Sequence, residues 1–162
     1  MFSKEHKNLI QKLARQCLEK DISLVTAESC TGGILSSLLT QEAGSSRWFD
    51  RGFVTYSNNS KIDSLGVQRE TLENFGAVSQ EVANEMSKGA LKNSEANLGI
   101  SITGIAGPEG GSLAKPVGTV YFSIANQKKV ILEHKSDFKG SRETIRKESV
   151  LFVLNKLLNL TL

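Results

Sequence analysis

Residues Ser23–Leu39 read SLVTAESCTGGILSSLL, and this stretch sets the fold. Ser23-Leu-Val-Thr-Ala-Glu28 is a short β-type run, and Gly33 to Leu39 reads as a buried helix. Between them lies a tight turn carrying two hydroxyls, a thiol and two glycines. A strand that passes through such a turn into a helix is the opening of an α/β unit. The pattern repeats on both sides. Upstream, Leu9, Ile10, Leu13 and Cys17 recur at helical spacing, so residues of about 5–20 form a helix with Cys17 on its buried face. Downstream, Trp48–Ser57 is rich in aromatic and β-branched residues and predicts a strand ending near Tyr56. A short helix follows over Asn58–Leu65, capped by Gly66.

Ser79 stands at an N-cap position, with Glu81 in the first turn and Val82, Met86 and Ala90 spaced along one helical face. Leu98–Thr103 predicts a strand leading into the glycine-rich segment Gly104–Gly111. Val117–Ala125 and Lys129–Phe138 form a hairpin around Asn126-Gln127-Lys128. The last helix opens at Ser141 and presents Val150, Leu151, Leu154, Leu157 and Leu158 to the core. The expected architecture is a three-layer α/β/α sandwich, built on a mixed, mostly parallel sheet of about five strands. No linker composition divides the chain, so residues 1–162 are expected to form a single domain.

Composition narrows the function. Hydrophobic residues make up 39% of the 162, with 14 glycines besides, which excludes a disordered or collagenous chain. No apolar run is long enough for a membrane span, and Met1–Lys20 lacks the apolar core of a secretory signal. A cytoplasmic protein is therefore expected. Cys17 and Cys30 are too few for a disulfide scaffold, and with only His6 and His134 no metal site is expected. The balance of 20 basic and 17 acidic residues gives a net charge of +3, a mild bias toward anionic ligands without a nucleic-acid footprint.

Three segments carry residues that packing alone does not require. In Thr26-Ala-Glu-Ser-Cys-Thr-Gly-Gly33 a hydroxyl can stand at the C-terminal edge of the sheet beside free N–H groups of a helix start. Such N–H groups suit an oxyanion or a phosphate, and Gly32 and Gly33 clear side chains from the backbone. Ser29 and Thr31 are equally suited to capping the helix. Cys30 is a rival nucleophile to Ser29, although adjacent residues leaving a strand point apart and only one is expected to face a substrate. The spacing is not that of the α/β-hydrolase elbow.

Neither histidine stands with an acid in a recognisable triad, so a Ser-His-Asp arrangement is not indicated. A lysine base is the alternative. Tyr56-Ser-Asn-Asn-Ser-Lys61 places a phenol at a strand end and an amine five residues on. To act near neutral pH, Lys61 must lose roughly 2–3 units from its usual pKa of about 10.4, a shift that burial supplies. The third segment, Thr103-Gly-Ile-Ala-Gly-Pro-Glu-Gly-Gly-Ser112, leaves a strand edge with enough backbone freedom to wrap a ligand. It matches neither a Walker loop nor a dinucleotide fingerprint. Beyond it, Arg142 in Gly140-Ser-Arg-Glu143 is placed to clamp a phosphate or carboxylate.

In combination, TAESCTGG, GSSRWFDRGFVTYSNNSK, FGAVSQEVANEM, SITGIAGPEGGSLAKPVGTVYF and FKGSRE resemble, in this order, the C-terminal domain of the CinA family over almost the whole chain. The resemblance implies an amidohydrolase of the pyridine nucleotide cycle. Its reaction converts nicotinamide mononucleotide to nicotinate mononucleotide and ammonia, with no cofactor. It further implies Ser29 as nucleophile, Tyr56 and Lys61 as its activating relay, and N–H groups around Thr31 and Gly32 for the oxyanion. Thr103, Gly104 and Arg142 would hold the nucleotide. Asn59 and Ser141 depart from the family pattern, which has Glu and Asp there. Two other readings stay open, a non-catalytic nucleotide-binding module and a cysteine amidase using Cys30. The expected partner is a small molecule, and a homo-oligomer is compatible with the apolar strip on the last helix.

Overall fold

The computed structural model describes residues 4–160, so residues 1–3 and 161–162 of the expected 1–162 unit lie outside the described residues. In chain order the elements are α1 (Lys4–Glu19), β1 (Leu24–Glu28), α2 (Ile34–Leu39), a 3-10 turn (Ser45–Arg47), β2 (Phe49–Val54), α3 (Asn58–Leu65), α4 (Arg69–Phe75), α5 (Gln80–Lys92), β3 (Leu98–Gly104), β4 (Thr119–Asn126), β5 (Val130–Asp137) and α6 (Arg142–Leu158). The strands form one sheet in the order β2-β1-β3-β4-β5. β1 pairs in parallel with β2 and β3, whereas β3–β4 and β4–β5 are antiparallel. Four strands thus run one way and β4 alone is reversed.

Alternation along the strands divides the interior into two layers. Leu24, Leu98, Ile100, Ile102, Phe122 and Ile124 face α1, α2 and α6, where Leu13, Leu35, Leu38, Val153 and Leu154 meet them. Val25 and Ala27 face the other way, onto Leu65, Val82, Met86 and Ala90 of α3 and α5. The three-layer sandwich is therefore present, with helices on both faces of a five-stranded mixed sheet.

On the α5 face the strands carry small polar residues, each satisfied by a specific partner. Ser101 Oγ donates to the Ala83 carbonyl at 2.6 Å, Ser123 and Ser87 share a 2.9 Å bond, and Thr103 Oγ1 donates to the Ala77 carbonyl at 2.8 Å. Small side chains let α5 lie close to the sheet. α3 lies close to α5 in turn, because a Cβ at Gly89 would run into the Leu65 carbonyl. Gly89→Ala is accordingly expected to destabilise the protein by about 2 kcal/mol in a urea titration, despite the better helix propensity of Ala. A stabilised variant would contradict this packing.

The helix starts follow local chemistry. Ser57, Ser79 and Ser141 accept hydrogen bonds from the N–H groups of Ser60, Val82 and Thr144, and Gly66 closes α3 in the left-handed region. α4 has no counterpart among the expected elements. Its N-cap residue, Gln68, makes no side-chain cap and only Leu72 is buried, so it carries little local signal.

Candidate active site

The register fixes the site. Glu28 of β1 stands between Val54 of β2 and Ile102 of β3, so β1 and β2 end level and parallel β3 runs two residues further, to Gly104. β1 lies between neighbours reached by crossovers on opposite faces of the sheet. Ligands collect at such a switch point, beyond the carboxyl ends of the strands. The residues that follow are Ser29 after β1, Thr55 and Tyr56 after β2, and the glycine-rich loop after β3. Ser29, Tyr56 and the glycine-rich loop wall a cleft of about 260 Å³, which also takes in Lys61, Thr103, Gly104, Ala77, Val78 and Arg142.

At its floor Lys61 Nζ lies 3.0 Å from Ser29 Oγ. Ser57 caps α3 so that Lys61, on the helix's second turn, reaches back under the end of β1. The amine is only 1% exposed and also donates to the carbonyls of Thr55 at 2.8 Å and Tyr56 at 3.4 Å. Among the described residues no carboxylate lies within ion-pair distance of it. Burial without a counter-charge lowers its pKa to about 8, an effect the neighbouring Cys30 thiol slightly opposes. When the amine is neutral, its two N–H groups suffice for the two carbonyls and its lone pair faces the Ser29 hydroxyl. Asn59, the departure from the family pattern, is exposed on α3 and takes no part in this arrangement.

Ser29 and Cys30 both border the cleft, and Cys30 also belongs to the buried core cluster. Strand alternation has stopped by then, because β1 ends at Glu28 and the next residues form a turn. Chemistry separates the two. Burial pushes the Cys30 thiol up to about 12, so it holds its proton at neutral pH.

The start of α2 is not open to an anion as expected. The Glu28 carboxylate, fully buried, accepts from the N–H groups of Gly33, Leu35 and Ser36 and from Ser36 Oγ, at 2.7–3.1 Å. The start of α2 is thus capped internally and leaves no free helix N–H groups for a substrate. Gly32 N–H donates to the Ser29 carbonyl at 3.0 Å, and Ser29 N–H to that of Ile102 at 2.9 Å. The N–H groups of Cys30 and Thr31 donate to no protein oxygen among the described residues.

Thr31 and Gly32 do not line the cleft. The space beside Gly32 is filled by Arg146, whose Nη2 would stand 3.2 Å from a Cβ there. Thr103 and Gly104 do line it, and the Thr103 hydroxyl is already committed to Ala77. Arg142 spans the rim, with Nη1 donating to the Gly107 carbonyl at 2.7 Å and Nη2 to the Tyr56 hydroxyl at 2.9 Å. The Tyr56 residue is 62% exposed, and its phenol is bonded to Arg142 rather than to Lys61 or Ser29. Tyr56 meets the amine through its backbone carbonyl. Two residues here went unremarked in the sequence, Glu28 and Arg146. A carboxylate ending an apolar strand is the signal for the first, since a buried charge needs partners. For the second it is the four-residue spacing from Arg142, which puts both arginines on one face of α6.

The chain belongs to the CinA C-terminal domain family, whose model matches residues 6–161. More particularly, it is 51% identical over 132 residues to the nicotinamide-nucleotide amidohydrolase PncC of Enterobacter agglomerans, covering 82% of this chain and 80% of that protein. It is 43% identical to the protein of the same name from Escherichia coli K12, over 97% of this chain and 95% of that one. Among solved structures, the competence/damage inducible protein CihA of Agrobacterium tumefaciens superposes with a TM-score of 0.94 at 42% identity, over 99% of each chain. No helix among the described residues is long and apolar enough to cross a membrane.

Proposed function

We propose that this protein hydrolyses the carboxamide of nicotinamide mononucleotide to nicotinate mononucleotide and ammonia, with Ser29 as nucleophile and Lys61 as general base and acid. The observation that carries this reading is the 3.0 Å contact between Ser29 Oγ and a buried, uncompensated amine. The names of its relatives supply the substrate. Neutral Lys61 takes the hydroxyl proton as Ser29 Oγ attacks the carboxamide carbon. The Cys30 N–H, which borders the cleft, receives the developing oxyanion, and such a donor contributes about 3–4 kcal/mol in comparable sites. Lys61, now an ammonium, returns the proton to the leaving nitrogen and ammonia departs. Water then attacks the acyl ester with Lys61 again as base, releasing the acid and freeing Ser29.

Tyr56 acts in this scheme through its carbonyl, which orients the amine, and through its phenol, which holds Arg142 at the cleft mouth. Arg142 and the loop beginning at Thr103 and Gly104 bind the anionic end of the nucleotide. The direct test is release of ammonia and nicotinate mononucleotide from nicotinamide mononucleotide, with chelator present. Turnover that resists chelator is the expected result. Binding of the nucleotide without turnover would overturn the enzyme reading in favour of a binding module.

A further inference from the structure

Arg146 has no role in the chemistry just described, and it does not line the cleft. Its Nη2 donates to the Thr31 carbonyl at 2.9 Å, across 115 residues of chain. That carbonyl belongs to the peptide joining Thr31 to Gly32. The N–H at the other end of the same peptide donates to the carbonyl of Ser29 at 3.0 Å. One peptide plane is thus pinned by a guanidinium on one side and holds the backbone of Ser29 on the other. The Ser29 N–H is tied in turn to the end of β3, through Ile102.

The local geometry is shaped around the arginine. Gly32 adopts a φ of +58°, and a Cβ there would crowd Arg146 Nη2 at 3.2 Å. The guanidinium is half-buried, its Nε is sealed from water without a hydrogen-bond partner, and among the described residues no carboxylate pairs with it. An arginine held this way costs stability. Its charge is nonetheless felt at the turn, where it draws the Cys30 thiol downward against the effect of burial. One helical turn earlier, Arg142 reaches the opposite side of the same site, the rim at Gly107 and Tyr56. The two arginines of α6 divide the work, one at the mouth and one behind the nucleophile.

We infer that Arg146 is a positioning residue, holding the 29–32 turn so that Ser29 Oγ stays on Lys61 Nζ and the Cys30 N–H stays clear for the acyl oxygen. The inference rests on Ser29 being the nucleophile. It predicts a split in the kinetics. Arg146→Gln lowers kcat on the order of 50-fold, as misplacement of a reacting group does, while KM stays within about twofold. Arg142→Gln does the reverse and chiefly raises KM. Arg146→Lys keeps the charge and the packing but not the planar fork, so kcat falls about tenfold with the melting temperature unchanged. It serves as the reading variant where Arg146→Gln does not fold. Lys147→Gln, an exposed neighbour on the same helix, serves as the control and leaves both constants at wild-type values.

Wild-type kcat in both Arg146 variants would overturn the inference. So would a loss of kcat that only follows the loss of folded protein, or one matched by an equal change in KM. Ser29→Ala assayed alongside separates the two levels. Turnover retained there removes the nucleophile on which the inference rests, whereas an inactive Ser29→Ala beside fully active Arg146 variants overturns the positioning role alone.

Discussion

Lys61→Met is expected to lower kcat on the order of 10³-fold and to remove a pH-dependent part of the stability that the wild type shows. The rate follows from losing the one group, among the described residues, that is bonded to Ser29 Oγ and can carry a proton. The stability effect follows from burial. The folded-state pKa of Lys61, about 8, lies below its ordinary value of 10.5. Between these limits the unfolded chain binds more protons than the folded one, so wild-type stability rises with pH across that window. Below pH 8 both states are protonated and the full cost of the buried ammonium is present, roughly 3 kcal/mol. Wild-type protein should therefore gain stability on going from pH 7.5 to 10.5, and Lys61→Met should lose that increment in parallel urea titrations. The same titration governs catalysis. The neutral amine is the base, so kcat/KM should rise with pH and level off above an apparent pKa of about 8. Identical stability profiles for the two proteins would mean that the amine is not buried in charged form.

The second large effect concerns the adjacent pair at the turn. Ser29→Ala should reduce kcat at least on the order of 10⁴-fold, because the remaining groups can only bind and polarise the amide. Binding of the nucleotide should survive, since Arg142 and the glycine-rich loop are untouched. Cys30→Ala should keep kcat within a few-fold of wild type, its thiol being protonated and its side chain 6% exposed. Any loss there should appear first as lower stability, from a small cavity beneath the turn. The reverse outcome, an active Ser29→Ala and an inactive Cys30→Ala, would transfer the chemistry to the thiol.

Much of this fold is legible in the chain because its punctuation is local. Ser57, Ser79 and Ser141 each place a hydroxyl where a helix begins, and Gly66 supplies the left-handed residue where one ends. α4 lacks a hydroxyl at its start and buries a single leucine, and its one local mark is Gly76, which closes it at a φ of +76°. The site divides along the same line. Ser29, Tyr56, Lys61, Thr103 and Arg142 could be singled out, yet each taken alone reads equally well as a cap, a strand aromatic or a surface cation. What joins Ser29 to Lys61 is the parallel register that brings the ends of β1 and β2 level, a long-range property. The phenol of Tyr56 shows the limit of reading a residue type as a role. Its hydroxyl is engaged by Arg142, and its backbone is what touches the amine. Glu28 shows another limit. The helix start that seemed open to an anion is filled by the chain's own carboxylate, one residue before the nucleophile.

The serine mechanism passes through an acyl intermediate on Ser29, and hydroxylamine tests it most directly. Turnover of nicotinamide mononucleotide in its presence should divert the acyl group from water, yielding the nicotinohydroxamate nucleotide while ammonia release continues. Hydroxamate should form with the wild type and with Cys30→Ala and disappear with Ser29→Ala and Lys61→Met. Sustained ammonia release with no hydroxamate at saturating hydroxylamine, or hydroxamate persisting in Ser29→Ala, would contradict the serine mechanism.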